Sequence, residues 1–105
     1  MAATLHNLGY LHSRDNRNEE ARGEYEESLK IRRELAQKNP DIFLPDVATT
    51  LCNIGSLDLS LNRTSQARRS LEEALQIYQG FADKNPARFQ PLVDRRQRSL
   101  SELPH

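Results

Sequence analysis

The chain has 105 residues, enough for one small domain with little core to spare. Its 15 Lys plus Arg balance its 15 Asp plus Glu, so no global field draws it to nucleic acid or an anionic membrane. No apolar run is long enough to span a bilayer and the stretch MAATLHNLGYLHSRDNR lacks the layout of a signal peptide, so a cytoplasmic location is expected. The lone Cys52 rules out an intrachain disulfide framework.

Taken in chain order, the apolar spacing predicts an all-α chain of five helices near residues 2–15, 19–38, 45–60, 64–84 and 88–103. In the first, Leu5, Leu8 and His12 share one face and Leu11 flanks it, while Ala3, Asn7, Tyr10 and Arg14 form the opposite stripe. In the second, Ala21, Tyr25, Ser28 and Leu35 recur at helical steps. Asn18 is its expected N-cap, Lys38-Asn39-Pro40 its stop, and Glu26–Lys30 and Glu34–Lys38 its surface ion pairs. Asp41–Pro45 then reads as a linker.

The third helix buries Leu51, Ile54 and Leu57 and turns Thr49, Asn53, Ser56 and Ser60 the other way. The fourth, capped by Thr64, carries Ala67, Leu71, Ala74, Leu75, Tyr78 and Phe81 and ends at Lys84-Asn85-Pro86, before a second linker over Ala87–Pro91. The last places Phe89, Leu92, Val93, Arg96, Leu100 and Leu103 on one side and Asp94, Arg95, Gln97, Arg98 and Glu102 elsewhere. One apolar and one wet side suit an end cap. Arg95, Ser99 and Glu102 continue the polar stripe of the first and third helices.

The organising fact is a repeat. Shifting the sequence by about 46 residues aligns roughly 20 of 46 positions identically. Thr4-Leu5 falls on Thr50-Leu51, Asn7 on Asn53, Gly9 on Gly55, Asn16-Arg17 on Asn62-Arg63 and Ala21-Arg22 on Ala67-Arg68. Glu26-Glu27 falls on Glu72-Glu73, Ala36 on Ala82, Lys38-Asn39-Pro40 on Lys84-Asn85-Pro86 and Phe43 on Phe89. The units divide as residues 1–44 and 45–90, with a capping helix at 88–103, all within a single domain of residues 1–105.

Leu5-x-Asn7-Leu8-Gly9 followed by Ala21, Tyr25 and Ser28 resembles the tetratricopeptide repeat, as does Leu51-x-Asn53-Ile54-Gly55 followed by Ala67, Leu71 and Ala74. Small residues at Gly9/Gly55, Ala21/Ala67 and Ser28/Ala74 let paired helices approach closely. The usual unit is about 34 residues. The longer units here look like the kinesin-light-chain and bacterial types of the family. Leucine stands at Leu5 and Leu51 where the family has tryptophan, His12 and Asp58 where an aromatic is common, and Asn16 and Asn62 at a turn glycine, where asparagine tolerates left-handed backbone.

The resemblance implies a right-handed helical solenoid of two helix-turn-helix repeats plus one C-terminal capping helix, acting as a non-catalytic scaffold. It places Asn7, Tyr10, Arg14, Asn53, Ser56, Arg95 and Ser99 along a concave groove that holds an extended peptide of a partner protein. A carboxamide donates and accepts, so Asn7 and Asn53 suit a clamp on a peptide backbone. Arg14, Arg95 and Arg98 would favour acidic ligands. The family's carboxylate-clamp set is matched only in part, because His6, Tyr10, Cys52 and Ser56 do not supply its lysines.

The alternative role is structural: a piece of a longer solenoid, or a module that self-associates through an open N-terminal end with Leu11 and Tyr25 near the open side. The start at Met1-Ala2, already inside a helix, suggests a missing upstream repeat or a small stand-alone module.

No catalytic pattern emerges. His6 and His12 are six apart and do not share a face as zinc ligands would. Cys52 has no sequence-encoded partner and reads as a packed thiol. Gly9, Gly23, Gly55 and Gly80 form no phosphate loop, and Glu26-Glu27 and Glu72-Glu73 sit on wet helix surface. Neither enzyme activity, cofactor nor metal is expected. The Arg88, Arg95, Arg96 and Arg98 cluster is diluted by Asp94 and Glu102, so nucleic acid is not an expected partner.

Overall fold

The computed structural model describes Thr4, Leu5, Asn7 and residues 18–103. Thr4, Leu5 and Asn7 are helical, in keeping with the expected first helix, and the rest of that helix, including Leu8, Tyr10, Leu11, His12 and Arg14, lies outside the described residues. Four helices follow: α1 (Asn18–Lys38), α2 (Pro40–Ser60), α3 (Thr64–Lys84) and α4 (Pro86–Ser101). There is no strand among the described residues.

The helix starts correct the sequence reading. Asp41–Pro45 and Ala87–Pro91 are not linkers but the opening turns of α2 and α4. A single non-helical residue, Asn39 (φ −146°, ψ 79°) or Asn85 (φ −142°, ψ 76°), separates one helix from the next. Pro40 and Pro86 then take the first helical position, where a missing N–H costs nothing and a fixed φ is already right. Pro45 and Pro91 lie early enough that each deprives only one carbonyl near the helix start of its partner, so the helices run through them. The Asn85 carboxamide accepts from the Arg88 backbone N–H at 3.4 Å and so caps α4. Thr64 is itself the first residue of α3, preceded by Arg63 at the cap position, rather than its cap. Asn62, at the α2–α3 turn, adopts the left-handed backbone expected of it (φ 60°).

Backbone contacts among the described helices join only consecutive elements, as in a linear stack. Two clusters make the core. Tyr25 and Ala21 of α1 meet Ile54 and Leu57 of α2, and Val47, Ala48, Leu51 and Cys52 of α2 meet Ala74 and Tyr78 of α3 and Phe89 and Val93 of α4. Each large side chain buried this way contributes about 1.5–3 kcal/mol. Tyr25 is only 2 % exposed, so it is a core residue and not part of an open apolar end. Gly55 brings α2 and α3 together: a Cβ there would meet the Leu71 side chain at 3.0 Å.

Polar ties supplement the core. The buried Asp58 of α2 pairs with Arg22 of α1, whose Nε also reaches Glu26 at 3.0 Å. Glu26 therefore bonds Arg22 where a pair with Lys30 was expected. Arg32 of α1 donates to Thr50 Oγ1 of α2 at 2.7 Å. Arg33 forks onto Glu73 of α3 at 2.6 and 3.0 Å, joining the second helices of the two units across exposed surface.

The repeat breaks at α4. Leu44, Ala48 and Leu51 of α2 correspond to Gln90, Asp94 and Gln97 of α4, all exposed. The Gln90 amide donates to Asp94 at 3.0 Å on this wet surface.

Candidate interaction groove

Helical spacing puts Thr49, Asn53, Ser56 and Ser60 on one stripe of α2 and Arg95 and Ser99 on the equivalent stripe of α4, with Glu102 just past its end. Between the two helices lies a recess of about 240 Å³, lined by Thr49, Cys52, Asn53, Tyr78, Leu92, Arg95 and Arg96. The structure thus brings Asn53 and Arg95 together. Asn7 is exposed on its helix, and Tyr10 and Arg14 lie outside the described residues. Ser56 is exposed and does not line the recess; its carbonyl accepts from Ser60 Oγ at 3.2 Å. Ser99 turns its hydroxyl onto the Arg95 carbonyl at 3.0 Å, so it supports α4 more than it offers a donor to the groove. Arg98 is exposed on α4 and stands outside the recess lining.

The floor of the recess was not legible from the polar stripe. Tyr78 comes from α3, and its hydroxyl shares a 3.0 Å hydrogen bond with Thr49 Oγ1, which also donates to the Pro45 carbonyl. Burial pushes the Tyr78 phenol above its ordinary value, partly offset by the Thr49 bond. Burial likewise raises the Cys52 thiol, partly offset by the Arg96 guanidinium within hydrogen-bonding reach. Both groups are therefore neutral near neutral pH. Arg96 occupies the position of Thr50, which is fully buried in the preceding unit. A charge at a core position was the one available sequence signal for this floor.

A second recess of about 300 Å³, lined by Asp41, Leu44, Gln76, Ile77, Gly80, Phe81 and Lys84, is larger and more apolar, and the opposite charges of Asp41 and Lys84 stand on its lining. Among the described residues no group of His, Cys, Asp and Glu is arranged to hold a metal ion, and no helix is long and apolar enough to cross a membrane.

Stacked antiparallel helices joined to their chain neighbours, with one polar stripe per unit, define an all-α helical repeat solenoid. Residues 1–80 match the family model described as tetratricopeptide repeat, and the chain belongs to that family. Membership carries the family's general role, a scaffold for protein–protein interaction. No curated protein gives a significant match to the chain.

Proposed function

We propose that this chain is a non-catalytic scaffold that holds an extended segment of a partner protein along the groove between its first-helix stripes. The carrying observation is the convergence of Thr49, Asn53 and Arg95, from two successive units, on one recess between α2 and α4. Asn7 and Asn53 act as backbone clamps, with Tyr10, Arg14, Ser56, Arg95 and Ser99 along the same track. The unit spacing of about 46 residues supports the long-unit subtype of the family. The polar replacements Gln90, Asp94 and Gln97 support α4 as the cap of a single domain over residues 1–105. A cytoplasmic setting suits the free, packed Cys52.

Peptides selected from a random display library test the groove. Asn7→Ala with Asn53→Ala should weaken a selected peptide by about 0.5–1.5 kcal/mol per lost hydrogen bond, read by fluorescence anisotropy. The melting temperature should hold, because alanine is the better helix former. A double variant that melts early and binds as before would place the asparagines in the architecture and sink the groove reading.

A further inference from the structure

Arg96 is a charged side chain where the repeat pattern calls for a small buried one. Its equivalent, Thr50, is 0 % exposed and bonds Arg32 and the Asp46 carbonyl. Arg96 is half-buried, and its Nε is fully buried with no hydrogen-bond partner among the described residues. Such orphaned donors are rare in native proteins, and each calls for an explanation. No carboxylate pairs with Arg96 among the described residues, and none of the residues lining its recess is acidic.

The neighbours do not supply the missing negative charge. The Cys52 thiol and Tyr78 phenol are both held neutral by burial. They offer polar contacts but no counter-ion. Arg95 brings a second guanidinium to the mouth, Asn53 a carboxamide, and Thr49 and Tyr78 hydroxyls that share one hydrogen bond. The recess, about 240 Å³, is large enough for a carboxylate or phosphate group and its stem. Two guanidiniums around a small cavity walled by Leu92 and the Tyr78 ring favour an anion in a setting of lowered dielectric.

We infer that the recess between α2, α3 and α4 is an oxyanion subsite, in which Arg96 from below and Arg95 from the mouth bind an anionic side chain of the partner segment. The shared ligand chemistry is an oxyanion, either a carboxylate or a phosphorylated hydroxyl. This rests on the groove reading for the bearer of the anion. The site itself is defined without a peptide.

The test uses the whole chain and small anions. Glutarate and inorganic phosphate are titrated separately at constant ionic strength, against chloride, while NMR follows the Arg side-chain Nε–Hε signals and the Tyr78 ring. The Arg96 Nε–Hε and Tyr78 signals should shift saturably in the millimolar range with at least one oxyanion and not with chloride. Glutarate preferred over phosphate assigns an acidic residue, and the reverse order a phosphorylated one. Arg96→Gln should weaken the preferred oxyanion about tenfold, the worth of a charge-assisted hydrogen bond. Arg69→Gln, exposed on α3 and outside the recess lining, should leave binding unchanged. Should Arg96→Gln fail to fold, the wild-type titration and Arg95→Gln still decide. Equal, non-saturating shifts with all three anions would overturn the subsite. Oxyanion binding without peptide binding would instead remove the groove reading and leave the subsite standing.

Discussion

A Cβ on Gly55 would stand 3.0 Å from Cγ and 3.1 Å from Cδ2 of Leu71, and 3.5 Å from the Ala67 carbonyl oxygen. Leu71 is only 2 % exposed and has little room to retreat. The glycine is thus a steric requirement of the α2–α3 crossing.

Gly55→Leu should therefore destabilise the domain by about 2–4 kcal/mol through overpacking. Helix propensity alone predicts a gain, about 1 kcal/mol on replacing glycine by alanine. Gly55→Ala should forfeit that gain in the wild type and recover part of it in a Leu71→Ala background. Urea unfolding of the wild type, Gly55→Leu, Gly55→Ala, Leu71→Ala and the Gly55→Ala/Leu71→Ala double variant gives the answer. A raised midpoint for Gly55→Ala in the wild type would mean that the crossing is loose.

Arg22 and Asp58 should respond unequally to truncation. Asp58 has a side chain 1 % exposed, whereas that of Arg22 is 24 % exposed and keeps Glu26 as a second partner. Arg22→Ala strands a buried carboxylate and should cost about 3 kcal/mol, the lower end for breaking a buried pair. Arg63, at 4.0 Å, limits the loss without replacing the bond. Asp58→Ala leaves a cation that water and Glu26 can still reach, and should cost less. Chemical denaturation of both variants checks the order, and a larger loss for Asp58→Ala would refute it.

Alkaline pH should lower stability through the groove floor. Cys52 and Tyr78 are both raised in the folded state, chiefly by burial. Below their unfolded values, about 8.5 for the thiol and about 10 for the phenol, both are neutral in either state and the contribution is fully present. As pH rises past those values the unfolded chain loses its protons first, so stability falls until the raised folded values are passed. The unfolding midpoint should drop between about pH 8.5 and 10, more steeply in the wild type than in Cys52→Ala. Equal slopes would show that the thiol is not desolvated.

The helices were legible because Ala67, Leu71, Ala74 and Tyr78 repeat at helical spacing and all are buried. The openings of α2 and α4 were not. Asn39-Pro40 and Pro45 read as breakers, yet one proline sits where helices accept it and the other costs one bond near the end. Asn53 and Arg95 were found through their stripe. The recess floor depends on Tyr78 and Cys52, which look like ordinary core residues and become groove residues only once α4 is packed beside α2. Tyr25 was misplaced for a related reason: periodicity puts it on a face but does not say what that face meets.

The wet side of α4 yields the last prediction. In α2, Ala48 and Leu51 lie in the main core with Leu44 packed against it, and Leu44 borders one recess with Ile77 and Phe81 of α3. In α4 the same positions are Gln90, Asp94 and Gln97, and a recess of about 400 Å³ beside them is lined by Gln79, Ala82, Asp83, Gln90, Val93 and Gln97. Replacing Gln90 by Leu, Asp94 by Ala and Gln97 by Leu recreates the apolar pattern of α2 on a face that no described helix covers. Helicity should be unchanged, since Leu and Ala are strong helix formers. The exposed patch should then drive concentration-dependent association, as an uncapped repeat does. Sedimentation over a wide concentration range should show a larger mass for the triple variant than for the wild type at equal concentration. If the triple variant sediments as the wild type does, polarity at these three positions is not what keeps this face of α4 from sticking.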